Sequence, residues 1–189
     1  LLSFSALSQT IEEGDKFFLS GQYEDAFKVY KKLAAKGEAE AQFNLGLFYL
    51  EGLSVEKNIG KALEWYLLSA ENGFAPGQFN ASRLLLGEEE GIDSTKFLNI
   101  ETGIKWLVEA ANAGNSDALN NLAQKFLEGV LVPQDANYAC ELLKYAIEGN
   151  PKNYSAHNNI GSCYGVWIKP VDIEKAIYHH RLAAEEGIV

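Results

Sequence analysis

Residues 39–73, AEAQFNLGLFYLEGLSVEKNIGKALEWYLLSAENG, contain a pattern that recurs three more times along the chain. Its register is set by an asparagine that is followed two residues later by a small residue and five residues later by a large apolar one. The four asparagines are Asn44, Asn80, Asn121 and Asn159. A period of about 20 to 50 residues predicts stacked helix hairpins, because one hairpin cannot bury its apolar face alone.

Each repeat contains two amphipathic stretches, which predict a first helix (helix A) and a second helix (helix B). A small residue marks helix B in the four repeats, at Ala62, Gly103, Ala139 and Ala176. A glycine near the end of each repeat, where the left-handed conformation carries no Cβ penalty, predicts the helix stop. These glycines are Gly73, Gly114, Gly149 and Gly187. Two unrelated helical domains that merely look alike would have to reproduce all these landmarks by chance.

The first repeat is a variant with a shorter turn. Its core, residues 14–37, reads GDKFFLSGQYEDAFKVYKKLAAKG, and Phe17 stands only nine residues before Ala26. This repeat resembles a tetratricopeptide repeat (TPR), and the later ones resemble the Sel-one-like repeat (SLR) family. The second repeat matches that family's pattern at Tyr49, Gly52, Val55, Lys61, Ala62, Trp65, Ala70 and Gly73, and the fourth at Phe126, Gly129, Val132, Asp135 and Ala139.

Two repeats depart from the family's pattern in the loop between the helices. The third has a longer acidic loop and lacks the loop glycine at the expected place. The fifth has Trp167 in place of that glycine and His179 in place of the helix B aromatic residue. The acidic residues of the third loop are Glu88, Glu89, Glu90 and Asp93.

The resemblance implies an all-α fold, a right-handed superhelical solenoid of about five antiparallel helix hairpins. We expect one repeat domain over residues 1–189. Its parts are a TPR-like repeat at 7–38 and SLR-like repeats at 39–74, 75–115, 116–153 and 154–189.

Charge and hydropathy narrow the class of partner. The formal net charge of −10 argues against a nucleic acid or an anionic membrane surface, since such contacts rest on clustered Lys and Arg. A local cluster at helical spacing, Lys28, Lys31, Lys32 and Lys36, is typical of a solvated helix face. No stretch approaches the roughly 18 apolar residues of a membrane-spanning helix, so we expect no membrane insertion.

The compartment stays open. The N-terminal LLSFSALSQ has small residues, Ala6 and Ser8, at the spacing of a secretory cleavage site. The alternative is that the chain has been trimmed and that Leu7 begins helix A of the first repeat, which accounts for the same N-terminal residues. Periplasmic or secreted and cytoplasmic locations are therefore both compatible with the sequence.

The two cysteines are predicted to lie on neighbouring helices. Cys140 and Cys163 each stand about eleven residues from the turn near Pro151, so antiparallel packing brings them to a similar height and a disulfide is one interpretation. The interpretation favoured by the resemblance is a pair of small buried thiols, because many disulfide-bearing relatives place a cysteine pair inside each repeat. This chain does not.

Catalytic motifs are absent from the sequence. It contains no phosphate-binding loop, paired CxxC, HExxH or GxSxG. The histidines His157, His179 and His180 all stand in the last repeat, and packing or surface roles are favoured over a metal site, which would need further ligands. We therefore expect a protein that is not an enzyme and that needs no metal or cofactor.

The resemblance implies that helix A lines a concave wall, where the asparagines would form a ladder of amides. A side-chain amide can donate to a peptide carbonyl and accept from a peptide N–H at once, so this wall predicts a site for an extended peptide. In the alternative interpretation the asparagines cap or bridge adjacent helices. The predicted partner-binding residues are Phe43, Asn44, Leu47, Phe79, Asn80, Arg83, Asn120, Asn121, Gln124, Asn158 and Asn159.

The sequence thus predicts an adaptor or scaffold that binds a protein or peptide. One alternative is an immunity or inhibitor protein that turns the loop at Glu88–Glu90 against a basic site on a toxin or enzyme. Another, which the resemblance brings in, is a β-lactam-binding hydrolase, for which the sequence offers no pair of nucleophile and base. The oligomeric state is open.

Overall fold

The structure is a computed structural model that describes residues 10–89 and 93–185. Over these residues the chain forms ten α-helices and no strand, which confirms the predicted all-α fold. The helices are α1 Ile11–Leu19, α2 Tyr23–Ala34, α3 Ala39–Glu51, α4 Ile59–Glu71, α5 Ala75–Leu85, α6 Ile100–Asn112, α7 Ser116–Glu128, α8 Ala136–Gly149, α9 Tyr154–Ser162 and α10 Ile173–Glu185. A short 3₁₀ helix covers Ser94–Phe97, and a π-helix covers Cys163–Trp167. None of the described helices combines the length and the apolar character needed to cross a bilayer.

The chain divides into two compact units between Leu84 and Leu85. In unit 1, α1 pairs with α2 and α3 pairs with α4, while α2 packs on α3. In unit 2, α7 pairs with α8 and α9 pairs with α10, while α6 packs on α7 and α8 on α9. Leu84 and Leu85 both lie in helix α5, so the division falls within the third repeat.

Every helix B after the first begins at a side-chain cap. Each cap is an asparagine or aspartate whose side-chain oxygen accepts a hydrogen bond from the backbone N–H three residues later, at 2.9–3.1 Å. Such a cap satisfies one of the otherwise unpaired N–H groups of the first turn. The caps are Asn58, Asn99, Asp135 and Asp172. Each stands four residues before the small residue that marks helix B in the sequence.

Small residues hold the paired helices close together, as the sequence predicted. A Cβ atom built at Gly46 of α3 would lie 2.5 Å from Cδ1 of Tyr66 on α4. The same clash would arise between Gly14 and Tyr30, also at 2.5 Å, and between Gly161 and the His180 ring at 2.9 Å. These glycines therefore leave room for a ring of the partner helix.

The repeat-ending glycines follow the prediction at two of their four positions. Gly73 and Gly114 adopt the left-handed conformation, with φ of 81° and 80°. The prediction is wrong for Gly149, which is the last residue of α8 and does not have a positive φ. There the helix ends because Asn150 turns extended, at φ −140°, while its N–H still bonds to the Ala146 carbonyl. Gly187 lies outside the described residues.

The C-terminal ends of the A helices explain why the loops of the third and fifth repeats depart from the family's pattern. Gly52 and Gly129 end α3 and α7 in the left-handed conformation, with φ of 74° and 67°. In the third repeat α5 ends early, and Gly87, one residue before the expected place, takes the left-handed conformation at φ 74°. In the fifth repeat α9 passes into the π-helix that ends at Trp167.

A disulfide joins Cys140 of α8 to Cys163 at the start of the π-helix. The sulfur atoms are 2.07 Å apart and the Cα atoms 5.9 Å apart. Both residues are almost fully buried, at 1% and 0% exposure. The favoured prediction of two unpaired thiols is therefore wrong in this structure, and the equal distance of the two cysteines from the turn was the better guide.

Candidate partner-binding surface

In unit 1, α2 packs against both α1 and α3, and the antiparallel hairpins give α1 and α3 the same direction. Tyr30 of α2 is only 2% exposed and its ring lies against Gly14 of α1. Larger side chains lie near the C-terminal ends of α1 and α3, and α1 ends at Leu19. Because α2 packs between α1 and α3, a space remains between the exposed faces of these two helices.

That space is a cavity of about 330 Å³. Its lining residues come from α1, α2 and α3 and are Asp15, Phe18, Leu19, Tyr30, Asn44 and Leu47. The volume falls at the small end of the range of about 300–1,000 Å³ that ligand pockets occupy. We refer to it below as the α1–α3 cavity.

Two of the predicted partner-binding residues, Asn44 and Leu47, line the α1–α3 cavity, whereas the third in this repeat faces elsewhere. The ring of Phe43 packs between Tyr66 and Phe74, with centroid distances of 5.7 and 5.6 Å. Phe43 therefore contributes to the contacts between α3 and the helix that follows it rather than to the cavity.

The polar groups of the α1–α3 cavity are an acid and two neutral donors. The hydroxyl of Tyr30 donates to Asp15 Oδ1 at 2.7 Å. Burial, together with this bond, raises the pKa of Tyr30, so the phenol stays a neutral donor. The backbone of Asn44 belongs to α3, but its side chain makes no hydrogen bond within the described residues. Its amide is therefore available to a ligand.

Negative charge accumulates at the N-terminal end of the same face. Glu40 is exposed overall, but desolvation of its carboxyl, followed by the negative charges of Asp15 and Glu12, raises its pKa. No lysine or arginine within residues 10–89 and 93–185 forms an ion pair with these three carboxylates. The carboxylates are thus close enough to repel one another, and the charge of Lys16, one turn after Glu12 on α1, acts on Glu12 without forming an ion pair.

On α5 the predicted residues are Phe79, Asn80 and Arg83. The side-chain amide of Asn80 donates to the carbonyl of Pro76, one turn earlier, at 3.0 Å. This bond uses one of the two amide hydrogens and leaves the amide oxygen as an acceptor. Asn80 is therefore held to its own helix and does not bridge to another.

In unit 2 the amide of Asn121 is engaged by the acidic loop. Asn121 Nδ2 donates to Glu88 Oε2 at 2.9 Å, and Lys125 Nζ lies 2.6 Å from Glu88 Oε1. The Lys125 and Glu88 side chains are only 14% and 19% exposed. Glu88 is thus folded onto α7 and is not presented outward, as the inhibitor alternative would require. Glu90 lies outside the described residues.

The remaining amides of unit 2 are also hydrogen-bonded within the chain. Asn159 Nδ2 donates to Asn120 Oδ1 at 2.9 Å, which links α9 to α7. Asn158 Oδ1 lies 3.0 Å from His180 Nδ1 on α10. Gln124 Nε2 donates to Glu128 Oε1 of the same helix at 2.8 Å. The contacts of Asn159 and Asn158 are of the bridging kind that was left open as an alternative, whereas the bond of Gln124 stays within α7.

The histidines of the last repeat form a packed pair and not a ligand set. His157 Nε2 lies 3.1 Å from the Pro151 carbonyl and therefore carries the proton that it donates. Its Nδ1 then accepts from His179 Nδ1, 2.8 Å away. Burial, followed by the charge of His157, lowers the pKa of His179. Within the described ranges, no three or more His, Cys, Asp or Glu residues are grouped so as to hold a metal ion.

Several residues that shape these surfaces were not predicted from the sequence. The face of unit 1 that is partly acidic and partly apolar includes Asp15, Leu19 and Glu40. On both α1 and α3 an acidic residue is followed by a leucine one or two turns later, and this spacing was the signal that could have predicted them. Asn153, 6% exposed, was missed as a link between repeats, where its Nδ2 donates to Ser116 Oγ at 2.7 Å. A polar residue in a turn gives no such signal, because its partner stands 37 residues away.

Four antiparallel helix pairs within the described residues, with side-chain caps on the second helices after the first and small residues at the helix contacts, define the class of α-hairpin repeat proteins. The Sel1 repeat matches residues 39–74, 80–115, 116–151 and 155–188, which is more than half of the chain. The chain therefore belongs to the Sel1 repeat family. Proteins of this family generally mediate protein–protein interactions and are typically non-catalytic scaffolds or adaptors.

Three proteins illustrate the similarity. An uncharacterized protein of Neisseria meningitidis serogroup B is 28% identical over 166 residues, which is 87% of this chain and 33% of the relative. The crystal structure of a Sel1 repeat protein from Oxalobacter formigenes has a TM-score of 0.79 at 27% identity, with 95% of this chain and 69% of that one covered. The immunity protein Pa5087 of Pseudomonas aeruginosa has a TM-score of 0.60 at 19% identity, covering 93% and 67%.

These similarities support different conclusions about this chain. The likeness to the immunity protein, at 19% identity, shows the fold alone. The chain spans about a third of the length of the Neisseria relative. The partner and the activity of the whole protein are therefore proposed below and are not taken from these relatives.

Proposed function

We propose that the protein is a non-catalytic interaction module that binds an extended segment of a partner protein along the exposed faces of its A helices. The observation that carries the proposal is the α1–α3 cavity, where the helix A residues Asn44 and Leu47 face an unfilled space of about 330 Å³. An amide without a partner beside apolar side chains can fix a peptide backbone and hold one of its side chains.

The amides of unit 2 support the proposal more weakly, since they are already bonded within the chain. Each keeps some capacity, however, because an amide has two hydrogens and an oxygen with two lone pairs. Asn121 Oδ1 is buried and accepts no hydrogen bond within the described part of the chain. A peptide N–H that reached Asn121 would satisfy this oxygen.

The proposal is tested by immobilising the protein and identifying by mass spectrometry what it retains from a lysate of its source organism. The test variant combines Asn44→Ala with Asn121→Ala on two A helices. The matched control combines Asn112→Ala with Asn137→Ala, which are exposed residues on the B helices α6 and α8. We expect partners that the wild type and the control retain and the test variant loses.

Equal retention by the test variant and the control would contradict the proposal. Release of the partner by salt from both variants alike would instead favour the inhibitor alternative, because an acidic surface that blocks a basic site binds through screened charges.

A further inference from the structure

The geometry of unit 1 points to a specific chemistry for the bound segment. We propose that the α1–α3 cavity binds an extended peptide segment in which a lysine or arginine stands two residues from a leucine or a similar apolar residue. This inference rests on the proposed function and assigns the recognition chemistry to one site within it.

Both helices that border the cavity run from acid to leucine along the face they share. The members of each series are three or four residues apart and therefore lie on one side of the helix. The series are Glu12, Asp15 and Leu19 on α1 and Glu40, Asn44 and Leu47 on α3. Because α1 and α3 run in the same direction, Asp15 lies at one end of the cavity, beside the neighbouring hollow that Glu12 and Glu40 line, and the two leucines lie at the other end.

The apolar end offers area that a partner side chain can cover. Leu19 is 84% exposed, although it borders a cavity whose other walls include Phe18 and Leu47. Phe18 and Leu47 are themselves only partly buried. An apolar side chain that entered here would remove three apolar surfaces from water at once, which favours binding in proportion to the area covered.

The acidic end selects the charge of the partner. Asp15 and Glu40 repel each other, and their repulsion contributes to the raised pKa of Glu40. Lys36 borders the neighbouring hollow with Glu12 and Glu40 but forms no ion pair within the described residues. A cation from the partner would relieve this repulsion, whereas a carboxylate would add to it.

The distance between the two ends fixes the spacing in the partner. Asp15 and Leu19 are four residues apart on a helix, which corresponds to about 6 Å along its axis. In an extended peptide, side chains on one side recur every second residue, at about 6.6 Å. A lysine and a leucine two residues apart therefore match the acidic and apolar ends.

The probe is a fluorescein-labelled peptide made of three repeats of Lys-Ser-Leu-Ser. Two control peptides replace every Lys with Glu or every Leu with Ser. Affinity for the full chain is measured by fluorescence anisotropy at about 150 mM salt, where remote charges are screened beyond about 8 Å. We expect binding of the Lys-Ser-Leu-Ser peptide only, since each control lacks one of the two complementary groups.

Two matched pairs of variants assign that binding to the α1–α3 cavity. Asp15→Asn with Glu40→Gln removes the charge in the cavity and the one in the hollow beside it, and Glu64→Gln with Glu71→Gln removes two exposed charges on α4. Leu19→Ser removes the exposed leucine of the cavity, and Leu68→Ser removes one that is 41% exposed on α4. We expect about tenfold weaker binding for each cavity variant and no change for each control.

The inference is overturned if the α4 variants weaken binding as much as the cavity variants, because the peptide would then respond to net charge alone. It is also overturned if the peptide does not bind, or if Leu19→Ser abolishes a dimer seen by analytical ultracentrifugation, since a second copy would then occupy the cavity. In all three cases the proposed function is tested separately. Its test is whether the variant that combines Asn44→Ala with Asn121→Ala still retains lysate partners.

Discussion

Single residues decide how closely the helices approach, and Gly46 is the clearest case. A methyl group there would meet the ring of Tyr66, which is only 1% exposed and cannot move aside into solvent. We expect Gly46→Ala to lower the free energy of unfolding by about 1–3 kcal/mol, the usual cost of overpacking. Urea unfolding followed by circular dichroism measures the change.

Gly149→Ala is the control for that substitution. A Cβ atom at Gly149 would have only the carbonyl oxygen of Gly114 nearby, at an ordinary 3.7 Å, and the residue has helical backbone. The substitution should leave stability unchanged or raise it by about 0.5–1 kcal/mol, because alanine loses less backbone entropy in a helix than glycine. Destabilisation at both positions would contradict the account of the close helix contact at Gly46.

The histidine pair makes the stability of unit 2 depend on pH. The folded pKa of His179 lies below the ordinary value of about 6.5, so the folded state binds its proton less readily than the unfolded state does. The stabilisation is therefore complete above the unfolded pKa and is lost as the pH falls through the folded pKa. We expect the urea midpoint to fall between about pH 7.5 and pH 5.5.

The contribution of His179 is isolated by two variants measured over the same pH range. His179→Gln should flatten the fall in the urea midpoint, because the titrating ring is gone. His180→Gln, at the exposed neighbour, should reduce the fall only slightly, because burial and the charge of His157 lower the pKa of His179 more than the charge of His180 does. A slope in His179→Gln identical to that of the wild type would contradict the assignment.

At the scale of helices, the disulfide fastens α8 to the end of α9. It closes a loop over a sequence separation of 23 residues, which in the chain-entropy model stabilises the folded state by about 3 kcal/mol. We expect Cys140→Ser with Cys163→Ser to lose about this much unfolding free energy. Thiol titration of the unreduced, denatured wild type should find no free thiol, and two reactive thiols would contradict the bridge.

The helix pairs could be predicted from the sequence because their determinants are local and repeat. The caps at Asn58 and Asp135 and the small residues at Gly46 and Ala139 act within one hairpin, so each recurrence reports the same packing. Gly149 does not take the predicted left-handed conformation because Asn150, the next residue, ends α8 in an extended conformation. A glycine at the expected place in the sequence does not show which residue ends the helix.

The candidate site was predictable only in part. Asn44 and Leu47 follow from the repeat register, but the partners of Asn121 and Asn159 stand 33 and 39 residues away and come from a loop and another helix. Glu88 looked like an exposed acid because loop residues usually are, yet its contacts with Asn121 and Lys125 turn it inward. Such long-range pairings need the tertiary structure.

At the scale of the whole molecule, the two units present different surfaces on their A helices. In unit 1 the α1–α3 cavity is acidic at one end and apolar at the other, and Asn44 is available. In unit 2 the amides are bonded to one another, to His180 and to the carboxylates of Glu88 and Glu128. We therefore expect unit 1 to contribute most of the binding energy, and unit 2 to contribute only where a partner exchanges those bonds.

Peptide binding along the A helices is tested by hydrogen–deuterium exchange of the full chain with and without a peptide selected from a phage-displayed random library. We expect an enriched consensus that pairs a basic with an apolar residue, and slower exchange in α1 and α3 when the peptide is bound. A selected peptide that protects only the B helices, or a library that yields no enrichment, would contradict peptide binding along the A helices.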